Sequence, residues 1–142
     1  MRFWDSSALV PLFVQESTST TVAETYDADP AVVAWWGTQL ECTSALARLE
    51  RDGDLSLADL TIALGSLADA AEAWHEVQPV PLVRQAAMRL LLVHDLRAGD
   101  ALQLAAALTA AEGQPEALGF VTLDDRLGRA AIREGLPVVY PR

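Results

Sequence analysis

Short apolar runs alternate along this chain with longer segments whose apolar residues recur at helical spacing, and that alternation constrains the fold more than any other feature. Phe3-Trp4, Ala31-Val32-Val33-Ala34-Trp35, Gly119-Phe120-Val121-Thr122 and Pro137-Val138-Val139-Tyr140 read as short strands. Glu76-Val77-Gln78-Pro79-Val80 is a weaker one, which Pro79 confines to an edge or an end. Between them, residues 38–51, 57–74, 82–94, 98–111 and 125–133 carry helical stripes, with Pro81 suited to a first turn and Gly135 to a stop. Two earlier helices are expected: one from Ser6 or Ser7 through Leu12 and Phe13, the other over residues 17–26. Segments 38–51 and 57–74 should pair as an antiparallel hairpin. Strands alternating with helices predict an α/β fold, a three-layer α/β/α sandwich around a parallel sheet of about five strands.

The chain has 142 residues, of which 51% are hydrophobic, enough to bury one core. Residues 1–142 are therefore read as a single domain. No apolar run approaches the roughly 18 to 20 residues that span a bilayer, so no membrane segment or signal peptide is expected and the cytoplasm is the expected location. Cys42 is the only cysteine, which excludes an internal disulfide and a cysteine-based zinc cluster. The formal charge is −10, which argues against a broad basic surface. All ten basic residues are arginine, so any mechanism needing an ammonium group is excluded.

Asp5 follows the first strand directly, at the carboxyl edge where open α/β sheets build their ligand sites. Glu41, Asp100 and Asp124 each follow or open an element that could bring them to the same edge. Taken singly, each acid has an ordinary explanation. Thr38-x-x-Glu41 and Thr122-x-x-Asp125 fit capping boxes, and Asp100 suits the positive end of a helix dipole. Together, four carboxylates at one edge would repel one another unless a cation neutralised them. Magnesium is commonly held by one or two carboxylates plus waters, and such an ion polarises a phosphodiester and lowers the pKa of an attacking water. His75 and His94 lack an HExxH spacing, no serine sits in a GxSxG elbow, and no phosphate-binding glycine loop exists.

Four blocks carry a family resemblance: Asp5-Ser6-Ser7-Ala8-Leu9-Val10, Glu41-Cys42-Thr43-Ser44-Ala45-Leu46-Ala47-Arg48, Leu96-Arg97-Ala98-Gly99-Asp100-Ala101-Leu102-Gln103-Leu104-Ala105 and Phe120-Val121-Thr122-Leu123-Asp124-Asp125-Arg126-Leu127. In this order and spacing the chain resembles the PIN-domain ribonucleases, especially the VapC-type toxins of bacterial toxin–antitoxin pairs. The resemblance covers nearly the whole chain. It implies an endoribonuclease dependent on Mg2+ or Mn2+, acting on RNA and held by an antitoxin. It also implies that Asp5, Glu41, Asp100 and Asp124 form the acidic metal site, with Ser7 and Thr122 as hydroxyl neighbours. Arg48, Arg97 and Arg126 are candidates for RNA phosphate contact. The acidity and the apolar helices suggest a homodimer and a basic, partly disordered antitoxin segment, engaged through residues 17–26 and 57–74.

Two rivals stand beside this reading. A phosphoaspartyl receiver or phosphatase could place Asp5 on a similar sheet, but such sites resemble designs with an essential lysine, which this chain lacks. A non-catalytic PIN-like domain could use the same acids to bind a basic partner.

Overall fold

The structure, a computed structural model, describes residues 1–142. Strands β1 (Arg2–Trp4), β2 (Val32–Trp35), β3 (His75–Val77), β4 (Gly119–Val121) and β5 (Val138–Val139) form one sheet in the order β3-β2-β1-β4-β5. Every neighbouring pair is parallel, so all five carboxyl ends lie on one edge. This is the α/β sheet expected from the alternation of elements. The weakest strand, β3, takes an edge position and ends before Pro79, where a missing N–H costs no ladder bond.

Residue parity along the strands divides the core in two. Phe3, Val33, Trp35 and Phe120 face one layer, while Trp4, Val32, Ala34 and Val121 face the other. The first layer is closed by α5 (Pro81–Val93), α6 (Ala98–Ala110) and α7 (Asp125–Arg133). Phe3 stacks on Phe120 there, with ring centroids 5.4 Å apart. The second is closed by α1 (Ser6–Leu9), α2 (Ser19–Ala28), α3 (Thr38–Arg51) and α4 (Leu57–Ala71). As the hairpin expectation required, α3 and α4 pack on each other. The alanines of α6 at 101, 105, 106 and 107 are fully buried, which lets this helix lie close against the sheet.

Some boundaries differ from the sequence reading, each for a local reason. The first helix stops at Leu9 and tightens into a 3-10 turn over Val10–Leu12, because Pro11 has no N–H to continue α-helical bonding. The second starts at Ser19 and runs to Ala28, so Asp27-Ala28 belong to the helix rather than to the turn before Pro30. The last strand shrinks to two residues, and α4 ends at Ala71 rather than reaching Trp74.

The layered core sets a clear contrast in mutational cost. Leu104 is fully buried in the α6 layer, whereas Leu40 on α3 is 72% exposed. Leu104→Ala is expected to cost about 2–5 kcal/mol in urea unfolding, and Leu40→Ala less than about 0.5 kcal/mol.

Candidate active site

The sheet order places a topological switch at its centre, since the chain leaves β1 toward β2 on one side and β4 lies on the other. Asp5 emerges from β1 there, and Thr122 and Asp124 emerge from β4 beside it. Trp4 is in register with Val121, and the Asp5 N–H donates to the Val121 carbonyl at 3.0 Å, so the ladder carries on to the turning point.

Asp5 is 3% exposed, and its carboxylate is held by hydroxyls rather than by cations. Ser7 Oγ donates at 2.5 Å, Thr122 Oγ1 at 2.9 Å and the Ser7 N–H at 3.3 Å. Ser6 Oγ adds a long contact of 3.4 Å. Asp5 itself caps α1, so the expected cap at Ser6 or Ser7 is corrected: both hydroxyls donate to Asp5. Ser7 and Thr122 also tie the two strand ends together, because Ser7 Oγ accepts from the Leu123 N–H at 3.0 Å and Thr122 Oγ1 accepts from the Asp124 N–H at 3.0 Å.

Both capping-box readings are likewise corrected. Thr38 is buried and bonds to Gln103, so it does not cap α3, and Glu41 is bound by that same Gln103. At the start of α7 the cap is Asp124, whose Oδ1 accepts from the Leu127 N–H at 3.0 Å. Thr122 cannot serve there because its hydroxyl is already committed to Asp5 and Asp124. Asp125 instead turns outward and pairs with Arg142 at 2.5 Å. Leu123 packs into the core between them, so Thr122 and Asp124 share the other side of the extended segment.

Glu41 sits in the first turn of α3 and Asp100 in the first turn of α6. Gln103 joins these helices, its Nε2 donating to Glu41 Oε2 at 2.6 Å and to Thr38 Oγ1 at 3.0 Å. Gln103 lies three residues after Asp100, hence on the same helix face. Across from it Gly99 leaves room for the other Glu41 oxygen, since a Cβ there would stand 3.2 Å from Oε1.

The four acids form an electrostatic row. Burial raises the Asp5 carboxyl to about 6, against the lowering effect of Ser7 and Thr122, and neighbouring Glu41 pushes it the same way. Burial also raises Glu41, opposed by Gln103 and Ser6 and reinforced by the charge of Asp100. Asp100 is raised by burial and then by Asp124, with Arg97 and Arg126 offsetting part of it. None of the four has an ion-pair partner; the arginines that do pair engage Glu134, Asp95 and Asp125. The row does not close into a cage, for no three of these acids converge tightly enough to hold an ion unaided. Unneutralised hard oxygens on an open edge fit a small divalent cation that keeps several of its waters. Cys42, beside Asp5 and Glu41, is inert: burial pushes its thiol up to about 12.

Of the three candidate arginines, the structure brings two to the acids. Arg97 and Arg126 line one polar cavity with Asp100 and Asp124. Arg48 is exposed on α3, seven residues beyond Glu41 and roughly 10 Å along the helix, and it lines no part of that cavity. The sequence reading missed Gln103, Arg129 and Arg133. The helical spacing of Arg126 and Arg129 was a usable signal for the second, but nothing in the sequence marked Gln103, whose partners lie 65 and 62 residues away.

Fold and site together define a parallel α/β domain with a carboxylate row at its switch point. No protein-family profile matches the chain. It is 32% identical over 136 residues to Ribonuclease VapC45 of Mycobacterium tuberculosis (strain CDC 1551 / Oshkosh), a match that covers 96% of this chain and 92% of that protein. The chain therefore belongs to the VapC ribonuclease family. Two solved structures share its fold at 16% identity: a toxin-antitoxin complex from Klebsiella pneumoniae, with a TM-score of 0.69 over 100% of this chain and 98% of the other, and FitAcB from Neisseria gonorrhoeae, with a TM-score of 0.70 over 99% and 98%.

The raised Asp5 carboxyl makes metal-free stability depend on pH. Folded protein holds this proton between about pH 4 and pH 6 while the unfolded chain has released it. Stability from this group is fully present below the unfolded value and is lost as pH rises through the folded one. A shift from 3.8 to about 6 corresponds to about 3 kcal/mol. Urea unfolding in chelator should show stability falling across this window in the native chain and a flatter profile in Asp5→Asn.

Proposed function

We propose that this protein is a divalent-metal-dependent endoribonuclease, the toxin of a toxin–antitoxin pair. The observation that carries the reading is the row Asp5, Glu41, Asp100 and Asp124, gathered at the carboxyl edge with no basic side chain paired to any of them. Family membership supplies the reaction class, since the relative is named a ribonuclease.

These four acids would hold Mg2+ or Mn2+, and the bound ion would polarise a phosphodiester of RNA and acidify the attacking water. The chain's own part is to aim oxygens. Ser7 and Thr122 fix the Asp5 carboxylate through donated hydrogen bonds, which favour its charged form against burial. Gln103 takes up one Glu41 oxygen and leaves the other beside Gly99. Asp124 is anchored through its cap to Leu127, so its carboxylate cannot swing away with the loop. Arg97 and Arg126 bring positive charge to the same cavity, where a substrate phosphate would need it.

The antitoxin is assigned as a basic partner. An apolar groove formed by Pro11, Leu12, Phe13 and Val14 is rimmed by Glu24 and Asp27, and a neighbouring groove adds Asp54 and Asp59. Apolar floor and acidic rim suit a basic amphipathic segment. For the homodimer, the support is the exposed apolar side of α5, where Leu92 is 90% and Val93 60% exposed. No helix is long and apolar enough to cross a membrane.

Asp124 and Asp125 separate the catalytic assignment from its neighbour. Asn remains a good helix cap, so Asp124→Asn should fold while losing most metal-dependent RNA cleavage. Asp125→Asn, which removes only an exposed pair with Arg142, should keep it. In parallel, Mn2+ should raise the Tm of the native chain by mass action and leave Asp5→Asn unmoved. RNA turnover and thermal melts of the three variants check both statements; an inactive Asp125→Asn beside an active Asp124→Asn would refute the assignment.

A further inference from the structure

In a chain of net charge −10, three arginines share one face of α7. Two polar cavities lie along this helix, and the first adjoins the acid row. The first is lined by Arg97, Asp100, Asp124, Arg126 and Arg129 among others and has no apolar lining residue. The second is lined by His94, Arg126, Arg129 and Arg133, with Asp95 and Ala130. Arg126 and Arg129 border both, so the two spaces lie side by side along α7, from Asp100 and Asp124 toward Arg133.

Arg126, Arg129 and Arg133 follow the i, i+3, i+7 pattern of a single helix face, a stripe roughly 10 Å long. All three are exposed. The neighbouring acids Asp125 and Glu134 bond to other cations, although Asp125 also feels the charge of Arg129. Asp125 pairs with Arg142 at 2.5 Å, and Glu134 is held by Arg89 at 3.1 Å and by His94 at 2.8 Å. Asp95 reaches Arg126 only at 3.8 Å, with its side chain 93% exposed. Arg129 and Arg133 have no ion-pair partner at all.

We propose that Arg126, Arg129 and Arg133 form a track for the phosphodiester backbone of an RNA strand, delivering it to the edge where Asp100 and Asp124 stand. The inference rests on the nuclease reading for where the strand leads, and on the α7 stripe for how it is held. Guanidinium groups suit the task because their forked donors bind phosphate oxygens in pairs. Contacts to phosphate carry no sequence information, so this segment positions the strand without reading its sequence.

The test is the salt dependence of binding to a mixed-sequence single-stranded RNA oligonucleotide, measured in chelator so that nothing is cleaved. Removing one arginine from a phosphate should flatten the slope of log affinity against log salt by about 0.7. Arg129→Gln and Arg133→Gln should each show that change, and the triple variant with Arg126→Gln a change of about 2. Gln preserves helix propensity, and circular dichroism checks that each variant folds. Arg51→Gln, at the far end of α3, should leave the slope unaltered. An unchanged slope in the folded triple variant, beside a native chain that binds and cleaves RNA, overturns the track alone. Binding through the stripe without cleavage once Mn2+ is restored supports the track and sinks the nuclease reading. Failure of the native chain to bind RNA overturns the track, as does displacement of RNA by polyglutamate of equal charge.

Discussion

Everything at the candidate site depends on one buried carboxylate. Asp5 leaves the central strand at a point where the sheet on both sides is packed, so its charge is removed from water and must be compensated locally. The compensation comes from Ser7 and Thr122, neutral donors contributed by the first helix and by the end of the neighbouring strand. Neutral donors orient a carboxylate without cancelling its charge. An arginine in the same place would pair with the carboxylate and oppose the entry of any other cation.

The same economy governs the outer acids. Asp124 serves as a helix cap through one oxygen, and Glu41 is bound by Gln103 through one oxygen. Each thus has a fixed orientation and an oxygen left over. Moving outward from Asp5 to Asp100, the charge of the acids meets its first opposition from arginines, Arg97 and Arg126. Negative charge is concentrated at the switch point and three arginines lie along the adjoining helix, an arrangement that would suit a polyanion at the proposed metal site.

Much of the fold was legible in the sequence, because parity and helical period report burial directly. Phe3 and Trp4 face opposite layers as adjacent strand residues must, and the segments 38–51 and 125–133 were bounded correctly by their stop signals at Asp52-Gly53 and Gly135. Boundaries failed where tertiary contacts decide them. The 3-10 turn at Pro11 and the last residues of α4 are examples. The choice of cap failed for a related reason: a hydroxyl such as that of Thr122 has several possible uses, and which it takes depends on what lies 117 residues away. Gln103 was invisible as a site residue because a glutamine on an apolar helix announces nothing until Thr38 and Glu41 are brought to it. The acids stood out because each follows or opens an element leading to the carboxyl edge, the resemblance pointed to the same four, and the fold makes them electrostatic neighbours.

The central claim is that this row of acids holds a catalytic metal ion. Isothermal titration of the chelator-stripped chain with Mn2+, run alongside Asp100→Asn, tests it most directly, because Asp100 makes no side-chain bond to the buried Asp5 clip and its loss should spare the fold. The account predicts saturable binding to the native chain and binding at least tenfold weaker in the variant, about 1.4 kcal/mol of affinity or more. Equal binding by the two proteins, or none by the native chain, would contradict it.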